Sequence, residues 1–240
     1  HPAGHVIGSA QIRIEYKGRV AVVTGDYKLV DDGLCMPFES VQCDEIVTEC
    51  TFGLPVYQWP DQEELYLEIN AWWRECRERG IIPALGAYSL GKAQRILKHL
   101  DTSIGTIYTH GAIEKMNRVF RREGYDLPQT KRVHPDTGRE EVLGGMVLAT
   151  PPALRTSWMK RFGKTSTALA SGWMALRGTR RRRNVDRGIP LSDHADWTGL
   201  NRVISESGAE RVYVMHGYTE IFSRWLREQG YDAVSMETYY

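Results

Sequence analysis

His1-Pro2-Ala3-Gly4-His5-Val6-Ile7-Gly8-Ser9-Ala10 opens the chain, and an apolar strand running into Thr24-Gly25-Asp26 follows at once. The first stretch puts a histidine in a turn of small residues, and the second puts an aspartate at a strand end. Imidazole and carboxylate both bind divalent metals, and a rigid sheet presents them well. Working outward, residues 10–16 alternate, with Ile12, Ile14 and Tyr16 on one face, and Lys17-Gly18 signals a turn. Residues 19–24, with Val20-Ala21-Val22-Val23, then read as a buried strand, so a β-hairpin delivers Asp26.

The 240 residues suffice for one large domain or two small ones, and 42% hydrophobic content supports a sizeable core. A net charge of +1 excludes a general polycation, so any affinity for an acidic partner must come from local asymmetry. No apolar run approaches the roughly 20 residues of a membrane span. Cys35, Cys43, Cys50 and Cys76 form no C-x-x-C pair, which argues against a zinc ribbon. So few cysteines in so long a chain read as reduced thiols of a cytoplasmic protein.

Beyond the hairpin, residues 45–49 read as a strand. Residues 61–79 read as an amphipathic helix, with Asp61 as N-cap, an apolar face of Leu65, Ile69, Trp72 and Trp73, and Gly80 as its stop. Strands follow over 81–87, 104–109, 145–150, 168–173 and 189–191, with helices from Lys92 to about Leu100 and over 114–122. The last quarter reads helix 198–207, strand 211–216, helix 219–229 and strand 232–236. This alternation predicts an α/β fold built on a mostly parallel sheet.

Three histidines stand where periodicity does not need them: His5, His194 between Asp193 and Asp196, and His216 at the end of Val212-Tyr213-Val214-Met215. A single strand-end histidine is more often structural. Three of them with a strand-end aspartate point to a metal, and the mixed N/O set suits zinc or manganese. Arg177, Arg180, Arg181, Arg182, Arg183 and Arg187 fall within eleven residues just before His194. The run is either a solvated loop, partly paired with Asp186, Asp193 or Asp196, or a phosphate-backbone track; its position favours the track. Gly86-Ala87-Tyr88-Ser89-Leu90-Gly91-Lys92 is either a plain strand-turn-helix or a phosphate site, with Ser89 and Lys92 assisting the backbone amides. Trp158 lies in a basic segment able to stack bases, although core packing is the better reading.

Taken in order, the 2–10 and 24–26 segments resemble the third and fourth motifs of metallo-β-lactamase-fold nucleases. Thr48-Glu49-Cys50-Thr51-Phe52-Gly53, Leu191-Ser192-Asp193-His194-Ala195-Asp196-Trp197 and Met215-His216-Gly217 resemble the three further motifs of the β-CASP group. Ala170-Ser171-Gly172-Trp173-Met174, the arginine run and Asp186-Arg187-Gly188 bring the resemblance nearest to bacterial ligase-associated DNA exonucleases. The glycine-flanked turn is similar to that of the crosslink-repair branch, which favours its phosphate reading.

The resemblance implies the C-terminal part of a metallo-β-lactamase αββα sandwich, residues 1–54 and 188–240, with a β-CASP α/β domain, residues 55–187, inserted in it. It implies that His5 ligates one zinc ion, His216 the other, and Asp26 both, with a hydroxide bridging the two metals as nucleophile. Glu49 would orient a neighbouring histidine, and His194 would act as general acid or phosphate clamp. Arg180, Arg181, Arg182 and Arg183 would hold DNA. The expected activity is exonucleolytic hydrolysis of DNA in repair, beside an ATP-dependent DNA ligase and away from membranes; RNA processing is the alternative.

The family also carries an upstream His-x-His-x-Asp-His, which supplies two further ligands to each metal. No such string occurs in these residues, and His99, His110 and His134 lie in unrelated contexts. The chain is therefore expected to be part of a longer protein and inactive alone. The rival reading is a metal-free nucleic-acid-binding scaffold.

Overall fold

The computed structural model describes residues 1–236, excluding the side chain of Arg180. The elements run β1 (Ile12–Tyr16), β2 (Arg19–Val23), β3 (Glu45–Cys50), α1 (Gln62–Glu78), β4 (Ile82–Gly86) and α2 (Lys92–His99). Then come β5 (Ile107–Thr109), α3 (Gly111–Arg122), β6 (Lys131–Arg132), α4 (Arg139–Val142), β7 (Met146–Ala149) and β8 (Thr165–Ala170). The rest are α5 (Arg177–Arg183), β9 (Arg187–Ile189), α6 (Trp197–Ser207), β10 (Arg211–Gly217), α7 (Thr219–Glu228) and β11 (Asp232–Ser235). They divide into two units, His1–Gln58 with Asp193–Tyr240, and Trp59–Ser192.

The first unit holds a five-stranded sheet in the order β1-β2-β3-β10-β11. The hairpin pair β1–β2 is antiparallel, while β2, β3, β10 and β11 run parallel. Val22, Ile46, Val212 and Val214 from the strands bury against Leu200, Ile204, Phe222 and Leu226 of α6 and α7. The parallel arrangement sends Asp26, Glu49 and His216 to the same end of three adjacent strands, their carboxyl end, where open α/β sheets bind ligands. All five residues of β1 are exposed, so its alternation records the pleat and not burial.

The second unit holds a six-stranded sheet, β6-β5-β7-β4-β8-β9, parallel in every pair. Its central strands β4 and β7 are wholly buried, as parallel strands require. Asp61 caps α1, accepting from the amides of Glu63 and Glu64, and Leu65, Ile69, Trp72 and Trp73 form the buried face. Trp158 packs half-buried beside Phe162 at the edge of this core.

The arginine run, read as either a solvated loop or a phosphate track, is helical over Arg177–Arg183 and ends at Asn184, which takes the left-handed conformation at φ 50°. Two strand expectations need correction. The strand expected over 189–191 is Arg187–Ile189 instead, because Pro190 has no amide to continue the ladder. The strand expected over 168–173 runs Thr165–Ala170, since its half-buried first residues pair with β4 and Gly172–Ala175 turns away as a 3₁₀ helix. No described helix is long and apolar enough to cross a membrane.

Candidate metal centre

The His5 turn is held by its own backbone and by the segment after Asp26. Ala3 N–H donates to the Ser9 carbonyl at 3.2 Å, and Ser9 N–H to the Val6 carbonyl at 2.9 Å. Lys28 N–H donates to the Ala3 carbonyl at 3.1 Å. Gly4 sits at φ +70°, where a Cβ would lie 2.3 Å from the Lys28 carbonyl oxygen. Any side chain at this position both strains the backbone and clashes. Gly4→Ala is accordingly expected to lower stability by about 1–3 kcal/mol, read as a drop in melting midpoint.

His5 donates from Nδ1 to the Asp193 carbonyl at 2.8 Å, since a carbonyl can only accept. That fixes the tautomer and leaves the Nε2 lone pair facing Asp26, whose Oδ2 is 3.9 Å away, beyond hydrogen-bond reach. The His194 ring lies 4.7 Å from that of His5, tilted by 57°. One donor atom from each of His5, Asp26 and His194 falls within 4.8 Å of the others. The His5 imidazole and the Asp26 carboxylate supply the mixed N and O donors that divalent zinc accepts, so these residues fit a metal ion with His194 close beside it.

Glu49 lies beneath this group, 1% exposed. Both its carboxylate oxygens stand 3.0 Å from His194 Nδ1. Tyr27 N–H donates to Oε1 at 2.9 Å and Thr51 N–H to Oε2 at 3.3 Å. Burial pushes the Glu49 carboxyl up, but the hydrogen bond and charge of His194, with the bonds from Thr51 and Tyr27, outweigh it and hold Glu49 below the usual carboxylate range. An anionic Glu49 accepts from Nδ1–H and directs Nε2 of His194 toward His5 and Asp26.

His216 is not one of the three residues of that group. It is exposed at the end of β10, at φ 54°, where the register with β3 slips between Met215 and Gly217. A left-handed histidine is uncommon and marks a backbone held by its surroundings. The next residue, Gly217, sits so close to β3 that a Cβ would lie 2.3 Å from the Cys50 carbonyl oxygen.

A buried ion pair, not signalled by hydropathy, underlies the site. Lys28 Nζ meets Asp32 Oδ2 at 2.6 Å with both side chains at most 3% exposed. Asp32 also accepts from the amides of Leu34 and Cys35, each at 2.9 Å. This pins the residues whose backbone carries the His5 turn. The spacing of four in a non-helical segment was the one available sign.

The phosphate-binding candidates lie in the second unit. Arg181, Arg182 and Arg183 are exposed on α5 with no ion pair among the described residues, Arg187 pairs with Glu75 at 2.8 Å, and the Arg180 side chain lies outside the described residues. Asp186 is engaged by Thr167, whose amide donates to it at 2.7 Å. In the glycine-flanked turn Ser89 is half-buried, while Lys92 is 3% exposed with Nζ 5.8 Å from the Tyr88 ring centre. The amides of Gly91, Lys92 and Ala93 are already bonded, to Gln94 Oε1, the Leu90 carbonyl and the Tyr88 carbonyl.

No family model matches the chain. It is 32% identical to the probable DNA ligase of Opitutus terrae over 97% of its own length and 23% of that protein. It is 32% identical to endoribonuclease ysh1 of Aspergillus fumigatus over 42% of the chain and 12% of that protein. It is 27% identical to the RNase J-like protein of Methanocaldococcus jannaschii over 49% of the chain and 30% of that protein. The chain thus spans less than a third of the length of each of these relatives. With these homologues, the chain belongs to the β-CASP metallo-β-lactamase family.

Proposed function

We propose that the protein containing this chain is a metal-dependent nuclease that hydrolyses phosphodiester bonds of DNA, acting as an exonuclease in cytoplasmic DNA repair beside an ATP-dependent ligase. The convergence of His5, Asp26 and His194 over a buried Glu49 at the carboxyl end of a parallel sheet carries this reading. The ligase name of the Opitutus terrae relative supports the setting. In this reading residues 1–54 and 188–240 belong to the αββα metallo-β-lactamase lobe, and residues 55–187 are the β-CASP lobe.

His5 and Asp26 would hold one zinc ion, and Asp26 and His216 a second; manganese is the alternative ion. When bound, the pair supplies a hydroxide nucleophile at neutral pH and stabilises charge on the attacked phosphoryl group. The remaining ligands would come from a His-x-His-x-Asp-His segment carried elsewhere in a longer protein. His194, steered by Glu49, would place Nε2 toward the scissile phosphate, as proton donor to the leaving oxygen or as a clamp on the phosphoryl group. Ser89, Lys92 and Arg180 to Arg183 would engage the strand. Because Lys92 is buried against Tyr88, the arginines carry more of that contact.

Glu49→Gln tests the steering role. It is expected to cut cleavage about 10–100-fold while strand affinity holds, because the histidine loses its anionic anchor but the phosphate contacts remain. Equal loss of binding and cleavage would assign Glu49 a purely structural part. The endoribonuclease names among the relatives favour a second reading, hydrolysis of RNA. Cleavage of matched DNA and RNA strands by the longer protein separates the two: preference for DNA supports the first and preference for RNA the second.

A further inference from the structure

A cavity of about 430 Å³ opens at the carboxyl end of the parallel sheet in the second unit. In the strand order the chain passes from β4 across β7 to β5, and from β7 across β4 to β8, so right-handed crossovers send the loops leaving these adjacent strands to opposite faces of the sheet. Such divergence points are where open α/β sheets form ligand crevices. The volume falls in the range of small-molecule sites.

The walls are apolar: Pro151 and Leu154 follow β7, and Val185 follows α5. Tyr88, just after β4, lines the cavity and is 57% exposed. Arg155 and Arg183 also line it, both exposed and neither paired with a carboxylate among the described residues. Each constituent narrows the ligand. Inorganic phosphate would use the guanidiniums and leave the apolar walls bare. A purely apolar ligand would leave two cations unmatched. A planar heterocycle joined to a phosphate satisfies both, with the ring against Tyr88 and the aliphatic wall and the anion on the arginines.

We infer that this pocket binds one nucleotide, its base against Tyr88, Pro151 and Leu154, and its phosphate on Arg155 and Arg183. The site is distinct from the neighbouring turn at Ser89–Lys92, where the amides of residues 91–93 are spent on internal bonds. Its use in handling a strand rests on the nuclease reading, but its occupancy does not, because binding needs neither metal nor turnover. A free nucleotide and the terminal nucleotide of a strand share this chemistry.

Calorimetric titration of the full chain in EDTA with deoxyadenosine monophosphate, deoxyribose 5-phosphate and inorganic phosphate tests the pocket. The nucleotide is expected to bind at least about tenfold more tightly than the base-free sugar phosphate, the scale of one base–aromatic stack. Tyr88→Ala should erase that advantage, Tyr88→Phe should keep it, and Arg155→Ala should weaken the nucleotide and the sugar phosphate alike. Tyr88 and Arg155 are exposed, so the melting midpoint should stay unchanged. Competition by a 5′-phosphorylated hexathymidylate would mark the ligand as a strand end, and its failure to compete would mark a free nucleotide; both keep the site. Equal affinity for nucleotide and sugar phosphate, no nucleotide binding, or a Tyr88→Ala variant that binds like the parent would overturn it.

Discussion

Asp26→Asn is expected to abolish strand cleavage in a metal-loaded protein that joins this chain to a His-x-His-x-Asp-His segment, by a factor on the order of 10³ or more, while affinity for the uncleaved strand stays within about twofold. The factor follows from several kcal/mol of transition-state charge stabilisation supplied by a metal pair, at about 1.4 kcal/mol per decade. Asp26 is the sole carboxylate in the His5–Asp26–His194 group. The amide is isosteric but is a far weaker metal ligand than a carboxylate. The exposed arginines of α5, on which strand affinity is expected to rest, are untouched. Single-turnover cleavage and filter binding on the same preparation separate the effects, and full cleavage by the variant would refute the bridging role.

Asp32→Ala is expected to cost about 3–5 kcal/mol of stability, because it strands a buried ammonium. Lys28, only 3% exposed, would lose its carboxylate partner, and the amides of Leu34 and Cys35 would lose their acceptor. Lys28→Met with Asp32→Leu should recover part of the loss by removing the charge, but not the part owed to those amides. The pair also makes stability depend on acid. Burial pushes the Asp32 carboxyl up, but the Lys28 charge and the bonds from Cys35, Lys28 and Leu34 outweigh it, leaving Asp32 below its ordinary 3.8. A depressed carboxyl contributes fully above that ordinary value and loses its contribution as pH falls through the folded-state value. Denaturant midpoints should therefore fall with pH below about 4, and less so in the Asp32→Ala variant. An unchanged melting midpoint in that variant would show that the pair contributes nothing.

The strand ends bearing Asp26 and His216 were legible because each follows a short apolar run and stands at a break in it, whereas Glu49, inside β3, was named from the motif resemblance alone. Parallel pairing then brings them to one edge, a consequence that sequence order alone implies once the β/α alternation is recognised. The arginine helix was not legible, because a run of like charges reads as a solvated loop and its stop is a left-handed Asn184 and not a glycine. Strand β6 is two exposed basic residues, invisible to any hydrophobic pattern. Lys28 and Asp32 carry no hydrophobic signal, and their spacing of four is the one local trace of a pair that neutralises itself in the interior. The turn at Gly91 looked open to phosphate for a related reason: the Gln94 side chain that occupies its amide is three residues away and carries no signal.

The most direct test is the zinc content, by mass spectrometry, of a protein that joins a His-x-His-x-Asp-His segment to this chain, beside its Asp26→Ala variant. A two-metal site that shares Asp26 gives two zinc ions per molecule in the parent and at most one in the variant. Two ions retained without Asp26, or none in the parent, would contradict it.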